Sequence, residues 1–286
     1  MKIIVTGSLG HISKPLTEEL VGKGHSVTVI SSNPERQKDI EAFGAKAAIG
    51  TMEDANFLTA AFTGAEAVYC MISSGSANTI ADNYKQAIQQ TNVKRIVHLS
   101  SVGAHTDKNN GFLRDFYVVE NILRELPADI AITHIRAGGL YYNLYRFVHA
   151  IKTQGVIASN YGADDKTPWV SPMDIAAVVA EEIVTPFEGR KVRYVASDEA
   201  TCNEVAGTLG AAIGKPDLKW VVISDEQMRS GLIASGMNPG IAEGFVEMNA
   251  GIHSGEVCED YYRNRPTLGK VKIADFAKEF AVVFNQ

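Results

Sequence analysis

A glycine-rich turn near the start of the chain has the residue types and spacing of a phosphate-binding loop. It follows a short apolar run, Lys2 to Val5, and it precedes a helical pattern. Gly7 permits a turn with positive φ, and Gly10 lets a phosphate approach the backbone because it has no Cβ. The N-terminus of the helix would direct N–H groups at the bound anion. These features predict a dinucleotide site formed by Gly7, Ser8, Leu9, Gly10, His11 and Ile12.

The spacing of this turn differs from the three-glycine pattern of dinucleotide-binding folds. Ser13 stands where a third glycine would let the helix pack closely on the strand. Serine is small, and we expect its hydroxyl to bond back to a helix carbonyl. The alternative is an ordinary strand–helix turn with glycines for steric reasons. The cofactor interpretation is favoured because a second strand follows at the expected distance.

The end of that second strand, predicted at Ser26 to Ile30, indicates which dinucleotide is bound. An NAD site requires an acidic residue there, which accepts from the ribose hydroxyls. None is present, since Glu35 already falls inside the next helix. Hydroxyls, an amide and an arginine could instead donate to a 2′-phosphate, although a helix cap and a solvated arginine would look the same. The sequence therefore predicts NADP(H) over NAD(H), bound by Ser31, Ser32, Asn33 and Arg36.

The elements that must position these turns alternate between strand and helix up to about residue 140. Six apolar strands and five helices predict a doubly wound parallel sheet covered on both faces, a Rossmann-type α/β fold. The carboxyl ends of such strands line the cofactor groove. We therefore expect cofactor contacts from Met71, Ile72 and Ser73 after the fourth strand, Ser100 after the fifth and Arg136 after the sixth.

The pattern changes in the second half of the chain, which predicts a smaller C-terminal α+β lobe. Strands at Val192 to Ala196 and Lys219 to Ile223 are assigned to it. The predicted domains are residues 1–155 and 156–286, with interleaving around 140–200. A ligand is expected between the lobes.

The composition of the chain limits the kinds of partner and ligand that it can bind. The 286 residues carry a formal net charge of −6, which argues against nucleic acid or an anionic membrane as the main partner. No apolar run approaches the ~20 residues that a membrane span needs. The cysteines Cys70, Cys202 and Cys258 are widely scattered, so we expect free thiols in a reducing cytoplasm. No cysteine or histidine pair has metal-ligand spacing, and no metal site is predicted.

Eight short motifs follow one another along the chain in a specific order. They are Thr6-Gly7-Ser8-Leu9-Gly10-His11, Ser32-Asn33-Pro34-Glu35-Arg36, Phe62 to Val68, Val93 to Ser101, Glu120 with Leu123, Thr133 to Gly138, Asp174-Ile175-Ala176 and Arg265-Pro266-Thr267-Leu268. Together they resemble the NmrA-like group of atypical short-chain dehydrogenases along nearly the whole chain. The resemblance implies a layout similar to bacterial NADPH-dependent quinone reductases and triphenylmethane-dye reductases. The group also contains NADP-sensing regulators with little or no turnover.

Three positions depart from the group. Ser32 stands where members often carry arginine, Thr51 where they usually have aspartate, and Phe116 where many have lysine or histidine.

The proton-donor pair of many short-chain dehydrogenases is also missing, because no tyrosine has a lysine four residues later. Hydride transfer to an electron-poor ring depends mainly on stacking and positioning. Tyr117 or Asn143 could donate a hydrogen bond to a developing oxyanion. An aromatic substrate is expected to contact Tyr141, Tyr142, Trp169 and His105.

Three functional hypotheses follow. The first is an NAD(P)H-dependent reductase of quinone-like or conjugated aromatic acceptors. The second is a redox-sensing regulator that binds NADP(H) and a partner protein without turnover, and the third is a structural protein that has lost the cofactor. A homodimer is left open.

Overall fold

The computed structural model describes residues 1–72, 76–108 and 110–286. The strands are β1 Lys2–Val5, β2 Ser26–Ser31, β3 Lys46–Ile49, β4 Ala67–Cys70, β5 Arg95–Ser101, β6 Ala131–Ala137, β7 Gly139–Leu140, β8 Val156–Ser159, β9 Lys166–Val170, β10 Arg190–Val195, β11 Asp198–Thr201 and β12 Lys219–Val222. The helices are α1 Ser13–Gly22, α2 Gln37–Ala42, α3 Ala55–Phe62, α4 Ala77–Gln89, α5 Arg114–Arg124, α6 Val148–Gln154, α7 Pro172–Val184, α8 Cys202–Ala212, α9 Asp225–Ala234, α10 Pro239–His253, α11 Glu259–Arg263 and α12 Ile273–Phe284. Within the described ranges, no helix is both long and apolar enough to cross a bilayer.

The main sheet has seven strands in the order β10-β6-β5-β4-β1-β2-β3. Strand β1 is parallel to both neighbours, with Ile4 opposite Thr28 of β2 and Val68 of β4. The strand order reverses at β1, and such a switch point is where open α/β sheets bind ligands at the carboxyl ends of their strands. The predicted doubly wound parallel sheet is confirmed.

Strand β10 corrects one expectation. Its residues were predicted to belong to the smaller lobe, but β10 is the seventh strand of the main sheet, beside β6. The amide of Ile132 donates to the carbonyl of Gly189 at 3.0 Å, and that of Gly138 donates to Val195 at 3.0 Å. From the first bond to the second, the residue numbers increase in both strands, so β6 and β10 are parallel. An edge strand far from its neighbour in sequence carries no local pattern that reveals this pairing.

Contacts divide the chain into two compact units, and each combines several segments. The first unit comprises Met1–Ser100, Val118–Arg136 and Ile175–Arg193, and the second comprises Ser101–Tyr117, Ala137–Asp174 and Tyr194–Gln286. The boundary expected at residue 155, with interleaving around 140–200, remains a prediction.

One core layer of the first unit lies between the sheet and helices α3, α4 and α5. Helix α4 buries Ile80, Ala81 and Tyr84, at the i, i+1 and i+4 spacing of one helical face. The Tyr84 ring stacks on Phe62 of α3 with centroids 6.2 Å apart. This packing anchors the helices to the strands whose ends form the candidate site.

The second unit is built on aromatic packing around two small sheets, β11-β9-β7 and β12-β8. Trp220 of β12 donates its indole N–H to the Tyr161 carbonyl at 2.7 Å. Its ring also covers Gly162, where an added Cβ would lie 2.0 Å from the indole. Helices α8 and α12 complete this core.

Candidate functional site

The turn after β1 has the geometry of an anion-binding loop. Gly7 has φ +90° and Ser8 has φ +55°, so the chain reverses within two residues. The Ser8 amide donates to the Ile30 carbonyl at 3.0 Å, and the Gly10 amide donates to Gly7 at 3.1 Å. Helix α1 starts three residues later, at the carboxyl edge of the sheet. The amides of Lys14 and Leu16 already donate to the carbonyls of Gly10 and Ile12. An anion at this helix start would therefore meet the N–H groups that precede them.

Ser13 compensates for the missing third glycine in a different way from the one expected. Its hydroxyl donates to the Thr6 carbonyl at the end of β1, at 2.8 Å, and not to a helix carbonyl. The hydroxyl that bonds back along the helix is that of Thr17, which donates to the Ser13 carbonyl at 2.7 Å. Helix α1 is therefore tied to the strand by a buried hydrogen bond.

The close packing of Ser13 makes Gly7 a structural requirement. A Cβ on Gly7 would lie 2.6 Å from the Ser13 hydroxyl, and φ of +90° is strained for any other residue. Gly7→Ala is therefore expected to lower the free energy of unfolding by about 1–3 kcal/mol, measured by urea denaturation. Adding Ser13→Ala removes the clashing atom and should restore part of the loss. An unchanged unfolding midpoint for Gly7→Ala alone would contradict this geometry.

The turn after β2 is joined to the glycine turn through hydroxyls. The buried Ser31 hydroxyl accepts from the Ser8 hydroxyl at 2.9 Å and from the Asn33 amide at 3.2 Å. It donates its own proton to the Asn33 carbonyl. Ser31 thus links the two turns and has no proton left for a ligand.

Ser32 and Arg36 are the exposed donors of this turn. The Asn33 side-chain oxygen caps the Pro34–Arg36 turn by accepting from the Glu35 amide at 2.9 Å, which leaves its NH₂ group available. Within the described parts of the chain, Arg36 has no ion pair. A cation and two neutral donors therefore face solvent beside the glycine turn.

The end of β4 forms the opposite wall of the glycine turn. The Met71 amide donates to the Thr6 hydroxyl at 3.0 Å, and the Met71 carbonyl accepts from the Tyr84 hydroxyl at 2.7 Å. The Met71 side chain lies against Gly7, 3.1 Å from where a Cβ would stand. Ile72 follows, half-buried. Ser73 lies outside the described residues.

Two further predicted residues meet in what we call the Glu120 cluster, formed by Ser100, Glu120 and Arg136. The Ser100 hydroxyl donates to Glu120 Oε1 at 2.6 Å. Arg136 binds the same carboxylate at both oxygens, with Nε–Oε1 2.9 Å and Nη2–Oε2 2.8 Å. Burial raises the pKa of Glu120, but the hydrogen bonds and charges of its neighbours, those of Arg136 foremost, together outweigh burial and lower the pKa below its usual value. The sequence alone gives no sign of a site role for Glu120, because no local pattern shows that it joins two distant strand ends.

Two residues expected to line a substrate cleft are core residues in the structure. Tyr141 is buried, donates its hydroxyl to Asp198 at 2.7 Å and stacks on Phe276. Trp169 is buried in the same core and donates its indole N–H to the Ala200 carbonyl at 3.4 Å. Aromatic residues after a strand end look alike in sequence whether they face a ligand or a core, so the pattern could not separate the two.

The other substrate and catalytic candidates are more accessible. Tyr142 is 43% exposed and meets the Tyr145 ring edge-on at 5.1 Å. Asn143 is exposed in the same helical turn, Tyr141–Phe147. Tyr117 is half-buried in the first turns of α5, and His105 is half-buried in the turn after β5. Their roles toward a substrate remain predictions.

The described ranges contain no group of three or more histidine, cysteine, aspartate or glutamate side chains arranged to hold a metal ion. The three cysteines are buried free thiols.

Comparisons with known proteins agree with this geometry. A family model described as NAD(P)H-binding matches residues 7–186. The NAD(P)H azoreductase of Xenophilus azovorans is 24% identical over 255 residues, which cover 87% of this chain and 86% of that protein.

Solved structures show the same fold. The NADPH-dependent quinone oxidoreductase QOR2 of Escherichia coli, complexed with NADPH, superimposes with a TM-score of 0.84 at 22% identity, over 97% of this chain and 99% of that chain. The Citrobacter sp. triphenylmethane reductase complexed with NADP(H) gives 0.79 at 18% identity, over 97% and 100%. The family match covers more than half of the sequence and includes the glycine turn, so the chain belongs to the NAD(P)H-binding family.

Proposed function

We propose that the protein is an NADPH-dependent reductase that transfers hydride to a quinone-like or other conjugated aromatic acceptor. The observation that carries the proposal is the pair of turns after β1 and β2. The first can hold a pyrophosphate, and the second presents Ser32, Asn33 and Arg36 without a carboxylate. The azoreductase and the two dye and quinone reductases act on conjugated acceptors according to their names, which supports the acceptor class.

The residues fit a dinucleotide. Gly10 is exposed, and its missing Cβ leaves the outer face of the turn open to a diphosphate. Ser32 and Arg36 would hold a 2′-phosphate, while Ser100 and Arg136 lie at the ends of β5 and β6. When bound, a reduced nicotinamide supplies the hydride, and an electron-poor ring stacked at ~3–3.5 Å can accept it without a strong acid. Tyr117 or Asn143 would donate a hydrogen bond to the oxygen that becomes negative.

The preference for NADPH is testable at the second turn. Charge-assisted hydrogen bonds contribute ~1.5–3 kcal/mol, so replacing Ser32 and Arg36 together with alanine should weaken NADPH binding about 10- to 100-fold. NADH lacks the 2′-phosphate and should be affected far less. Lys38→Ala removes another exposed cation close by and is the matched control. Equal losses for NADPH and NADH would rule out the 2′-phosphate role.

Turnover is tested by following NADPH oxidation with a panel of quinones, azo dyes and triphenylmethane dyes. A reductase oxidises NADPH with at least one acceptor class, and the Gly10→Val variant does not. Tight binding of NADPH without oxidation by any acceptor would contradict the reductase function.

That second result would instead support an NADP(H)-binding regulator without turnover. Two observations favour this alternative. Phe116 stands where many members of the NmrA-like group, which the sequence resembles, carry lysine or histidine. Tyr141 and Trp169 are buried in a core. Fewer polar and aromatic side chains are then available to bind a hydride acceptor.

A further inference from the structure

The Glu120 cluster contains a buried carboxylate whose acceptor positions are all used. Glu120 is 1% exposed and Arg136 is 5% exposed. Oε1 accepts from Ser100 and from Arg136 Nε, and Oε2 accepts from Arg136 and, at 3.3 Å, from Arg124. One side chain of α5 therefore fixes side chains from the ends of two neighbouring strands.

The cluster lies at one end of the row of strand ends that a dinucleotide would follow. The sheet order places β4, β5 and β6 on one side of β1, and β2 and β3 on the other. If the 2′-phosphate of the adenosine half lies at Ser32 and Arg36 after β2, the other half crosses β1 toward β4 and β5. Ser100 and Arg136 then lie on the nicotinamide side.

Stability is a poor explanation for this ion pair. Burying two charges costs several kcal/mol each, and apolar residues of similar size often stabilise a fold as well or better. The Glu120–Arg136 pair also orients the Ser100 hydroxyl, so its role is better explained by the positions in which it holds these side chains. The Ser100 proton is committed to Glu120, so the hydroxyl presents only its lone pairs to any other group.

We propose that Glu120 is a positioning residue for the nicotinamide half of the cofactor, acting through Ser100 and Arg136. This inference rests on the proposed function. In the Glu120→Gln variant, the amide NH₂ group must meet an Arg136 N–H at either oxygen position, so Arg136 has to move. Where the NH₂ group takes the Oε1 position, Ser100 also loses the acceptor that fixes its proton.

The test compares two ligands on each variant. NADPH occupies both halves of the site, whereas 2′,5′-ADP occupies only the adenosine half. Glu120→Gln is expected to weaken NADPH binding about tenfold or more, as for one misplaced charge-assisted hydrogen bond, and to leave 2′,5′-ADP binding unchanged. A purely structural loss would weaken both ligands together.

Glu182→Gln is the matched control. Glu182 is also buried in the first unit, where it accepts from Thr133 and pairs with Lys191 and Arg193 at 2.7 Å. Its replacement should lower stability without separating the two ligands. If Glu120→Gln does not fold, Ser100→Ala keeps the ion pair and should show the same selective loss.

The outcomes are distinct. Suppose that the wild type binds both ligands and that Glu120→Gln, or Ser100→Ala if Glu120→Gln does not fold, shows no selective loss of NADPH binding. That result would overturn the positioning role alone. A wild-type protein that binds neither ligand would overturn the proposed function and this inference with it.

Discussion

The Gly10→Val variant is expected to lose NADPH binding by at least about 100-fold while it keeps its fold. Gly10 is exposed and has no positive φ, unlike Gly7. A Cβ there would lie 3.1 Å from the Gly7 carbonyl oxygen, a contact that a shift of a few tenths of an ångström relieves. The two γ-methyl groups would then stand on the outer face of the turn, where the proposed site receives a pyrophosphate. Fluorescence titration with NADPH measures the loss, and urea denaturation verifies the fold.

Gly22→Val is the matched control for that variant. Gly22 ends the same helix, α1, and an added Cβ there meets no atom within 4 Å. This variant should bind NADPH as the wild type does. Retained binding in Gly10→Val would show that the turn does not hold the cofactor.

The second large effect is a loss of stability in mild acid, caused by two buried histidines. His98 of β5 and His134 of β6 face each other with Nδ1 atoms 3.1 Å apart. Burial lowers the pKa of His98 to about 3 and that of His134 to about 4. Both imidazoles are therefore neutral in the folded protein at pH 5, whereas they become protonated in the unfolded chain below its pKa of about 6.5.

The sign of the effect follows from proton uptake. Between pH 6.5 and 4 the unfolded chain binds more protons, so stability is full above pH 6.5 and falls as the pH is lowered. The slope approaches about 1.4 kcal/mol per pH unit for each histidine once the unfolded form is protonated. Urea denaturation at pH 7.5, 6.5, 5.5 and 5.0 measures it. Replacing both histidines with leucine should flatten the slope, and a wild-type stability that is level from pH 7.5 to 5.0 would contradict the prediction.

The sequence was sufficient where local patterns determine structure. The run Lys2–Val5 is the first strand, and the glycines after it form the turn that their spacing indicated. The order of strands and helices established the parallel sheet, because a crossover helix between strands leaves few other arrangements.

Hydrogen bonds between residues far apart in the chain could not be predicted from the sequence. Asp174 lies in the first turn of α7, and its carboxylate accepts from the Ser197 hydroxyl and from the amides of Lys270 and Val271. Ser171 is the residue that accepts from the amide of Met173 at the helix start. The partners of Asp174 are 23 to 97 residues away, so no local spacing could reveal them.

In the candidate site, too, local features could be predicted from the sequence and long-range contacts could not. The donors after β2 could be read directly, since a cap and a missing carboxylate are local features. The link from Ser100 to Arg136 through Glu120 depends on how α5 packs beside β5 and β6, and only the structure shows it.

The most direct test of the proposed site is titration of the purified protein with NADPH and with NADH, followed by nicotinamide fluorescence. The two turns after β1 and β2 predict saturable binding of both nucleotides. We expect NADPH to bind more tightly because Arg36 and Ser32 would face its 2′-phosphate. Binding of neither nucleotide would contradict a dinucleotide site at Gly7 and Gly10, and equal affinity for the two would contradict 2′-phosphate recognition at the β2 turn.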